Sequence, residues 1–218
     1  MIRITTLRWA PSFTHGLVRD FRVRWALEEA GLPYEVRYVD REEQRSEAYR
    51  ALQPFGQVPV FEEAGLTLFE SGAIVHHIAE RSEALMPRHP HGRARTLTWM
   101  FSALNSVEPA IWNLIELDFF SPQAEWAKPR RPAVVGFLNS RLASLSTWLA
   151  GHEYLEDRFT AGDLLMSAVL RILRHTDLVK ETPHLGAYQL RCEGRPAFKK
   201  AVADQLKAFA ENASAPNP

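Results

Sequence analysis

The chain has 218 residues, 46% of them hydrophobic, which is enough to bury a sizeable core in one large domain or two modest ones. Its 26 lysines and arginines balance 26 aspartates and glutamates, so no net charge recruits nucleic acid or an anionic membrane. The N-terminus lacks an apolar targeting segment, no run of about 18 apolar residues occurs, and the single cysteine excludes an internal disulfide. We therefore expect a cytoplasmic protein that binds neither nucleic acid nor membranes.

The first eighty residues alternate between strand and helix patterns. In chain order they predict strand 2–9, a helix, strand 34–39, a polar helix at about 42–51, strands 58–61 and 66–69 joined by a glycine turn, and a helix from Ser71 to about Arg81. This βαβαββα order predicts a small mixed sheet with helices packed on it.

The first predicted helix has an apolar stripe and a charged side. Leu17, Phe21 and Trp25 recur every four residues, which is typical of a buried helix face. Asp20 and Arg24 have the spacing of an ion pair, and we expect them on the solvated side.

The composition changes abruptly at residues 82–92, where two prolines, a glycine and two histidines interrupt the pattern. We expect one domain at 1–82, a linker at 83–92 and a second domain at 93–218. Strand signals vanish in the second domain, so we predict an all-α helical bundle, with a proline-rich loop at 121–132 between two helical stripes.

Residues 159–164 predict the start of a helix. Thr160 and Asp163 have the spacing of a capping box, and Phe159 and Leu164 that of a hydrophobic staple. The helix that follows is apolar almost all round, so we expect it to run through the centre of the second domain.

Two segments carry the strongest functional signal. The first reads QPFGQVPVF at residues 53–61, and the second reads LFESGAI at residues 68–74. Together with the first helix, the capping segment and the late PHLGAY and CEGRPAFKK stretches, they resemble the cytosolic glutathione S-transferase family. The resemblance implies a thioredoxin-like α/β N-terminal domain and an all-helical C-terminal domain.

The resemblance also implies a glutathione site at Gln57, Val58, Pro59, Glu70 and Ser71. In the family this proline follows a cis peptide bond, and the backbone of the preceding residue pairs with the cysteinyl part of glutathione like an added strand. The free N–H groups at a helix start attract a carboxylate, so Ser71 is expected to bind the γ-glutamyl carboxylate and Glu70 the ammonium group.

Family members activate the glutathione thiol with a Tyr, Ser or Cys near the start of the first helix. Counting back from the helix reaches Leu17, which has no hydrogen-bond donor, whereas matching from the strand reaches Ser12. We expect Ser12 or Thr14 to act, with His15 as a more distant candidate. Between the first strand and the first helix, this chain has about five residues more than the common family pattern.

The resemblance further implies a homodimer and a hydrophobic electrophile as co-substrate, with Phe119, Phe120 and Trp126 as candidates for holding it. The expected activity is glutathione transfer, with glutathione as substrate and no metal. Glutathione-dependent peroxide reduction, isomerisation and a non-catalytic binding or scaffold role remain open alternatives.

Other reactive side chains give weaker signals. Cys192 lies in a late helical segment, and we expect a packed, inert thiol. The histidines lack a carboxylate or cysteine framework that would hold a metal. Arg19, Arg22 and Arg24 have the charge to help hold an anion, but a solvated helix face explains them more simply.

Overall fold

A four-stranded mixed sheet organises the first part of the chain in the computed structural model, which describes residues 1–212. Its elements are β1 Ile2–Leu7, α1 Asp20–Ala30, β2 Tyr34–Val39, α2 Arg41–Arg45, α3 Glu47–Leu52, β3 Val60–Glu63, β4 Leu66–Phe69 and α4 Ser71–Ala79. The strand order is β2-β1-β3-β4. Strand β1 runs parallel to β2 and antiparallel to β3, and β4 closes a hairpin with β3.

This arrangement confirms the thioredoxin-like order predicted from the sequence. Ile2 and Ile4 of β1 and Val60 and Phe61 of β3 are all buried, as strands at the middle of a covered sheet require. The predicted helix at 42–51 is divided in two, because Ser46 takes extended backbone angles and its Oγ caps α3 by accepting a hydrogen bond from the Tyr49 amide.

Helix α1 starts later than the apolar pattern suggests. It begins at Asp20, so Leu17 lies in the preceding loop. It ends at Ala30, and Gly31, with a φ of 65°, supplies the left-handed residue after the helix. The prediction of a solvated side is wrong for Asp20 and Arg24, which are 0% and 2% exposed. Both sides of α1 are covered, because α4 and the C-terminal helix, α11, Pro196–Asn212, pack against it.

The contacts divide the chain into two compact units. The first comprises Met1–Met86 and the described residues from Gly194 onward, and the second comprises Pro87–Glu193. The chain from Gly194 thus groups with the first unit, whereas the sequence-based division assigns it to the second domain. A domain boundary at 83–92 stays a prediction.

The second unit is built of helices. They are α5 Pro90–Phe101, α6 Glu108–Ile115, α7 Ala127–Leu149, α8 Ala161–Leu170, α9 Leu178–Glu181 and α10 Leu185–Glu193, with π-helical turns at Ser102–Val107 and Glu116–Phe120. The all-helical prediction is confirmed. The predicted loop at 121–132 is shorter than expected, since α7 already begins at Ala127 and tolerates Pro132 near its start.

The predicted capping box and the central position of its helix are both confirmed. Thr160 Oγ1 accepts a hydrogen bond from the Gly162 amide at 3.2 Å, and Asp163 Oδ2 accepts one from the Thr160 amide at 2.9 Å. Phe159 and Leu164 are both buried. All ten residues of α8 are buried, which explains why this helix lacks a polar face.

None of the helices within residues 1–212 combines the length and the apolar character that a membrane crossing requires.

Candidate functional site

The Val58–Pro59 peptide bond is cis, as the family resemblance implies. The Val58 side chain packs with Val39, Tyr49 and Val60. Within residues 1–212, neither the N–H nor the C=O of Val58 makes a hydrogen bond. Val58 therefore keeps both backbone groups available to an added peptide strand.

Side-chain hydrogen bonds from Tyr49 and Gln53 stabilise the turn that leads into Val58. Tyr49 Oη donates a 2.7 Å hydrogen bond to the Gln57 carbonyl, and Gln53 Oε1 accepts one of 2.7 Å from the Phe55 amide. Gly56 has a φ of 63°, and a Cβ there would stand 2.9 Å from a backbone oxygen. Gln53 is 2% exposed, so its side chain lies inside the turn, while the Gln57 side chain is exposed.

The N-terminus of α4 lacks an internal cap. Among the described residues, no hydrogen bond engages the amides of Ser71, Gly72 or Ala73. Glu70, which stands at the capping position, makes no side-chain cap and has φ 69° and ψ 112°, a strained conformation for a residue with a Cβ. Strain at this point is consistent with a ligand site, where such outliers cluster. Helix α4 begins at Ser71, the residue at which the sequence predicts its start.

A buried arginine lies behind this helix start. Arg22 Nη1 donates a hydrogen bond to Ser71 Oγ at 3.4 Å, and the two residues are 3% and 4% exposed. The sequence interpretation of Arg22 as part of a solvated face is therefore wrong. A guanidinium group beside the free amides of α4 adds a full positive charge to the helix dipole.

The loop before α1 carries both hydroxyl candidates. Thr14 Oγ1 donates to the Pro11 carbonyl at 2.7 Å, so its proton is already engaged within the turn. Ser12 opens a 3-10 turn, is exposed, and its hydroxyl makes no hydrogen bond to any residue from 1 to 212. His15 Nε2 lies 2.9 Å from the Ala10 carbonyl. Of these side chains, Ser12 is the one with an uncommitted donor, and its catalytic role stays a prediction.

Sequence reasoning missed a cationic pocket next to the Gln53–Gln57 turn. Arg41, Arg45 and Arg50, with Gln44 and Gly56, line a cavity of about 340 Å³. None of the three arginines pairs with a residue that the structure describes. The available signal was three arginines within ten residues just before the QPFGQVP segment. Unpaired guanidinium groups around one cavity suit a carboxylate or phosphate.

The aromatic candidates lie in the second unit. Phe119, Phe120 and Trp126 are 42%, 60% and 47% exposed, which is unusual for side chains of this size. Phe119 packs edge-on against His175 with ring centroids 4.8 Å apart. Phe119 and Phe120 belong to the π-helical turn, a conformation frequent at functional sites. Their contact with a co-substrate stays a prediction.

Cys192 is fully buried in α10, as expected for an inert packed thiol. In the part of the chain that the structure describes, no group of three His, Cys, Asp or Glu side chains is placed to hold a metal ion.

Comparisons with known proteins agree with this geometry. Residues 13–80 match the family model described as glutathione S-transferase, N-terminal domain. Glutathione S-transferase F14 of Arabidopsis thaliana is 30% identical over 200 residues, which cover 82% of this chain and 76% of that protein.

Two solved structures extend the agreement to the whole fold. Glutathione transferase F7 of Populus trichocarpa superposes with a TM-score of 0.80 at 27% identity, covering 94% of this chain and 99% of the other. The theta class glutathione S-transferase of Xanthomonas axonopodis pv. citri, solved with glutathione bound, has a TM-score of 0.77 at 30% identity and coverages of 92% and 96%. Similarity of this extent in sequence and in fold means that the chain belongs to the glutathione S-transferase family.

Proposed function

We propose that this protein is a glutathione transferase that binds glutathione in the first unit and joins its sulfur to a hydrophobic electrophile. The observation that carries the proposal is the uncapped start of α4, where free amides, Ser71 and the buried Arg22 together offer an anion site. A structural helix start normally satisfies these amides with its own side chains.

The γ-glutamyl end of glutathione carries a carboxylate and an ammonium group. The carboxylate suits the Ser71 amide and hydroxyl, with Arg22 supplying the opposite charge. Glu70 is exposed and supplies an acceptor for the ammonium group. Both charges of this end of the ligand then have a partner.

The cysteinyl part of the ligand suits Val58. Its own N–H and C=O would pair with the free backbone groups of Val58, as in strand addition. Pro59 is buried and Gln57 is held by Tyr49, so the backbone that receives the ligand is rigid. Rigidity lowers the entropy that binding costs.

The glycyl carboxylate then has a natural partner in the arginine pocket. Gly56 lines that pocket and is two residues before Val58 in the chain. Arg41, Arg45 and Arg50 bring three positive charges that no described carboxylate neutralises. The two carboxylates of the tripeptide would thus meet two separate cationic sites.

The chemistry needs a donor to the cysteinyl sulfur. We assign this role to Ser12, whose hydroxyl is uncommitted, rather than to Thr14, whose proton goes to Pro11. A hydroxyl hydrogen bond stabilises the thiolate over the thiol and so lowers the thiol pKa. The sulfur then forms a bond to the electrophilic carbon, and the leaving group departs with its bonding electrons.

The second unit is the proposed source of the electrophile site, through the exposed Phe119, Phe120 and Trp126. Exposed aromatic side chains favour an apolar co-substrate. We place the reaction in the cytoplasm, where thiols are kept reduced by glutathione.

We propose a homodimer formed through the β4 edge of the sheet. Phe55 is 66% exposed, and its ring lies 6.2 Å from that of Phe69, which is 37% exposed. Leu66 of the same strand is 41% exposed. A cluster of large apolar side chains at a sheet edge is costly in water, and a second copy of the chain would cover it.

Calorimetric titration with glutathione, followed by parallel assays, tests the function. We expect saturable binding below 1 mM, on the order of the substrate affinities of enzymes, and conjugation of 1-chloro-2,4-dinitrobenzene. Cumene hydroperoxide and a cis-enone in the same series report peroxidase and isomerase activity. Binding without turnover of any of the three would instead favour a scaffold, and absence of binding would exclude all of these functions.

A further inference from the structure

A buried glutamine of the C-terminal helix holds the loop that precedes α1. Gln205 is 0% exposed. Its Oε1 accepts a hydrogen bond from the Gly16 amide at 2.9 Å, and its Nε2 donates to Asp20 Oδ1 at 2.7 Å and to the Val18 carbonyl at 3.3 Å. One side chain therefore bonds Gly16 and Val18 of the loop and Asp20, the first residue of α1.

The hydrogen-bonded chain continues into α1. Asp20 is fully buried and accepts a hydrogen bond from Arg24 Nε at 2.7 Å, so its second oxygen is engaged as well. Burial is the main influence on this carboxyl group and raises its pKa, while Arg24 opposes that change. Such a network is sensitive to the loss of any member, because an unsatisfied buried polar group costs free energy.

A ring contact adds a second attachment. His15 stacks on Phe209, one helical turn after Gln205, with ring centroids 5.0 Å apart. The same imidazole lies 2.9 Å from the Ala10 carbonyl. Helix α11 thus contacts the loop before α1 twice, through the hydrogen bonds of Gln205 and through the stacking of Phe209 on His15.

Local backbone bonds close the segment that bears Ser12. Thr14 and His15 donate their amides to the carbonyls of Pro11 and Ser12, at 2.9 Å and 3.1 Å. These bonds close the turn within residues 11–15. The bonds from Gln205 to Gly16 and Asp20 then tie the residues that follow this turn, and the first residue of α1, to one side chain of α11.

We infer that Gln205 is a positioning residue for thiol activation, which holds the loop so that the Ser12 hydroxyl reaches the glutathione sulfur. The inference rests on the proposed function. A misplacement of about 1 Å at a reacting group can lower a rate by about 10²-fold, so a distant side chain can control turnover without touching substrate.

The test uses a variant that keeps volume and removes the hydrogen bonds, Gln205→Met. A matched control is Phe198→Leu in the same helix, since Phe198 packs edge-on against Phe21 and Trp25 of α1, with ring centroids 5.3 Å and 5.0 Å away. The full-length variants are compared by melting temperature, glutathione dissociation constant, kcat with 1-chloro-2,4-dinitrobenzene, and the pKa of the bound thiol from thiolate absorbance.

We expect Gln205→Met to bind glutathione within about threefold of the wild type, to lose at least about tenfold in kcat, and to raise the pKa of the bound thiol. Phe198→Leu should lower the melting temperature and keep kcat and the thiol pKa. The inference is overturned by a Gln205→Met enzyme with wild-type kcat and thiol pKa, or by equal losses in Phe198→Leu.

If Gln205→Met does not fold, Phe209→Leu replaces it, because that change loosens the second attachment at His15. The same shift in thiol pKa is expected, and its absence would contradict the inference. A wild-type protein that fails to bind or turn over glutathione would overturn the proposed function itself. An active wild type whose Gln205→Met variant has the same kcat and thiol pKa would overturn only the inference about Gln205.

Discussion

Arg22 Nη1 lies 3.4 Å from Ser71 Oγ, and this contact joins the first turn of α1 to the first residue of α4 while both residues are almost completely buried. A positive charge beside the N–H groups of a helix start favours an anion there. Within residues 1–212, the amides of Ser71, Gly72 and Ala73 at the start of α4 make no hydrogen bond. We therefore expect Arg22 and Ser71 to contribute together to anion binding at this helix start.

The Arg22→Gln substitution should weaken glutathione binding by about tenfold or more, because hydrogen bonds to charged groups contribute about 1.5–3 kcal/mol. Calorimetry measures the change, with Arg3→Gln on β1 as control, since Arg3 forms only a half-exposed ion pair with Glu35. A glutathione analogue whose γ-glutamyl carboxylate is amidated should bind both proteins equally. Unchanged glutathione affinity in Arg22→Gln would refute this role.

The Ser12→Ala substitution should lower kcat by about 10²-fold, the usual effect of removing one donor to a developing or resident anion. The pKa of the bound thiol should rise, so the loss is larger at pH 6.5 than at pH 9, where the thiol ionises without help. The Thr14→Val control removes a hydroxyl whose proton goes to Pro11, and it should change the pH profile little. Swapped effects would assign the role to Thr14.

The double substitution Arg45→Gln and Arg50→Gln should weaken glutathione binding by several fold and leave γ-glutamylcysteine binding unchanged. The reason is that γ-glutamylcysteine lacks the glycyl carboxylate that the arginine pocket would hold. Because these side chains are exposed, the difference should shrink as salt is added. Equal weakening for both ligands would instead indicate a general effect on the fold.

The Phe55→Asp substitution should convert the proposed dimer into monomers, since it places a charge in the apolar cluster with Phe69. Sedimentation velocity over a range of concentrations measures the result. Phe137→Asp in α7 is the control, because Phe137 is 49% exposed but lies outside this cluster. A wild-type monomer, or a dimer that survives Phe55→Asp, would exclude this interface.

Asp163 predicts an unusual dependence of stability on pH. Its carboxylate accepts hydrogen bonds from the Leu155 amide at 2.8 Å and from Tyr188 Oη at 3.1 Å, besides those from Thr160. Burial nevertheless raises its pKa to about 6. Because the folded pKa exceeds the unfolded value of about 3.9, the folded state binds the proton more tightly, and this contribution is lost as pH rises from about 4 to 6.

The free energy of unfolding of the wild type, relative to Asp163→Asn, should therefore fall by about 3 kcal/mol between pH 4 and pH 6.5, at about 1.4 kcal/mol per unit of pKa shift. Urea unfolding of both proteins across this range measures the difference. The contributions of the other titrating groups cancel, because both proteins contain them. A relative stability that rises with pH would show that the hydrogen bonds outweigh burial.

Much of this protein could be predicted from local patterns. Strand alternation and the spacing of turns predicted the order of strands and helices along the first part of the chain, and Thr160 with Asp163 predicted the start of α8, because both depend on neighbours within a few residues. The Val58–Pro59 and Glu70–Ser71 segments predicted the family and a set of site residues. Each of these signals lies within a short window of sequence.

Only the tertiary structure decided which charges are buried and what they contact. Asp20 and Arg24 have the spacing of a surface pair, but α4 and α11 cover both sides of α1. The hydrogen bond between Gly16 and Gln205 joins residues 189 positions apart, and no periodic pattern in the sequence predicts such a contact. The physical reason is that periodicity specifies the faces of one helix, whereas burial depends on every element packed against it.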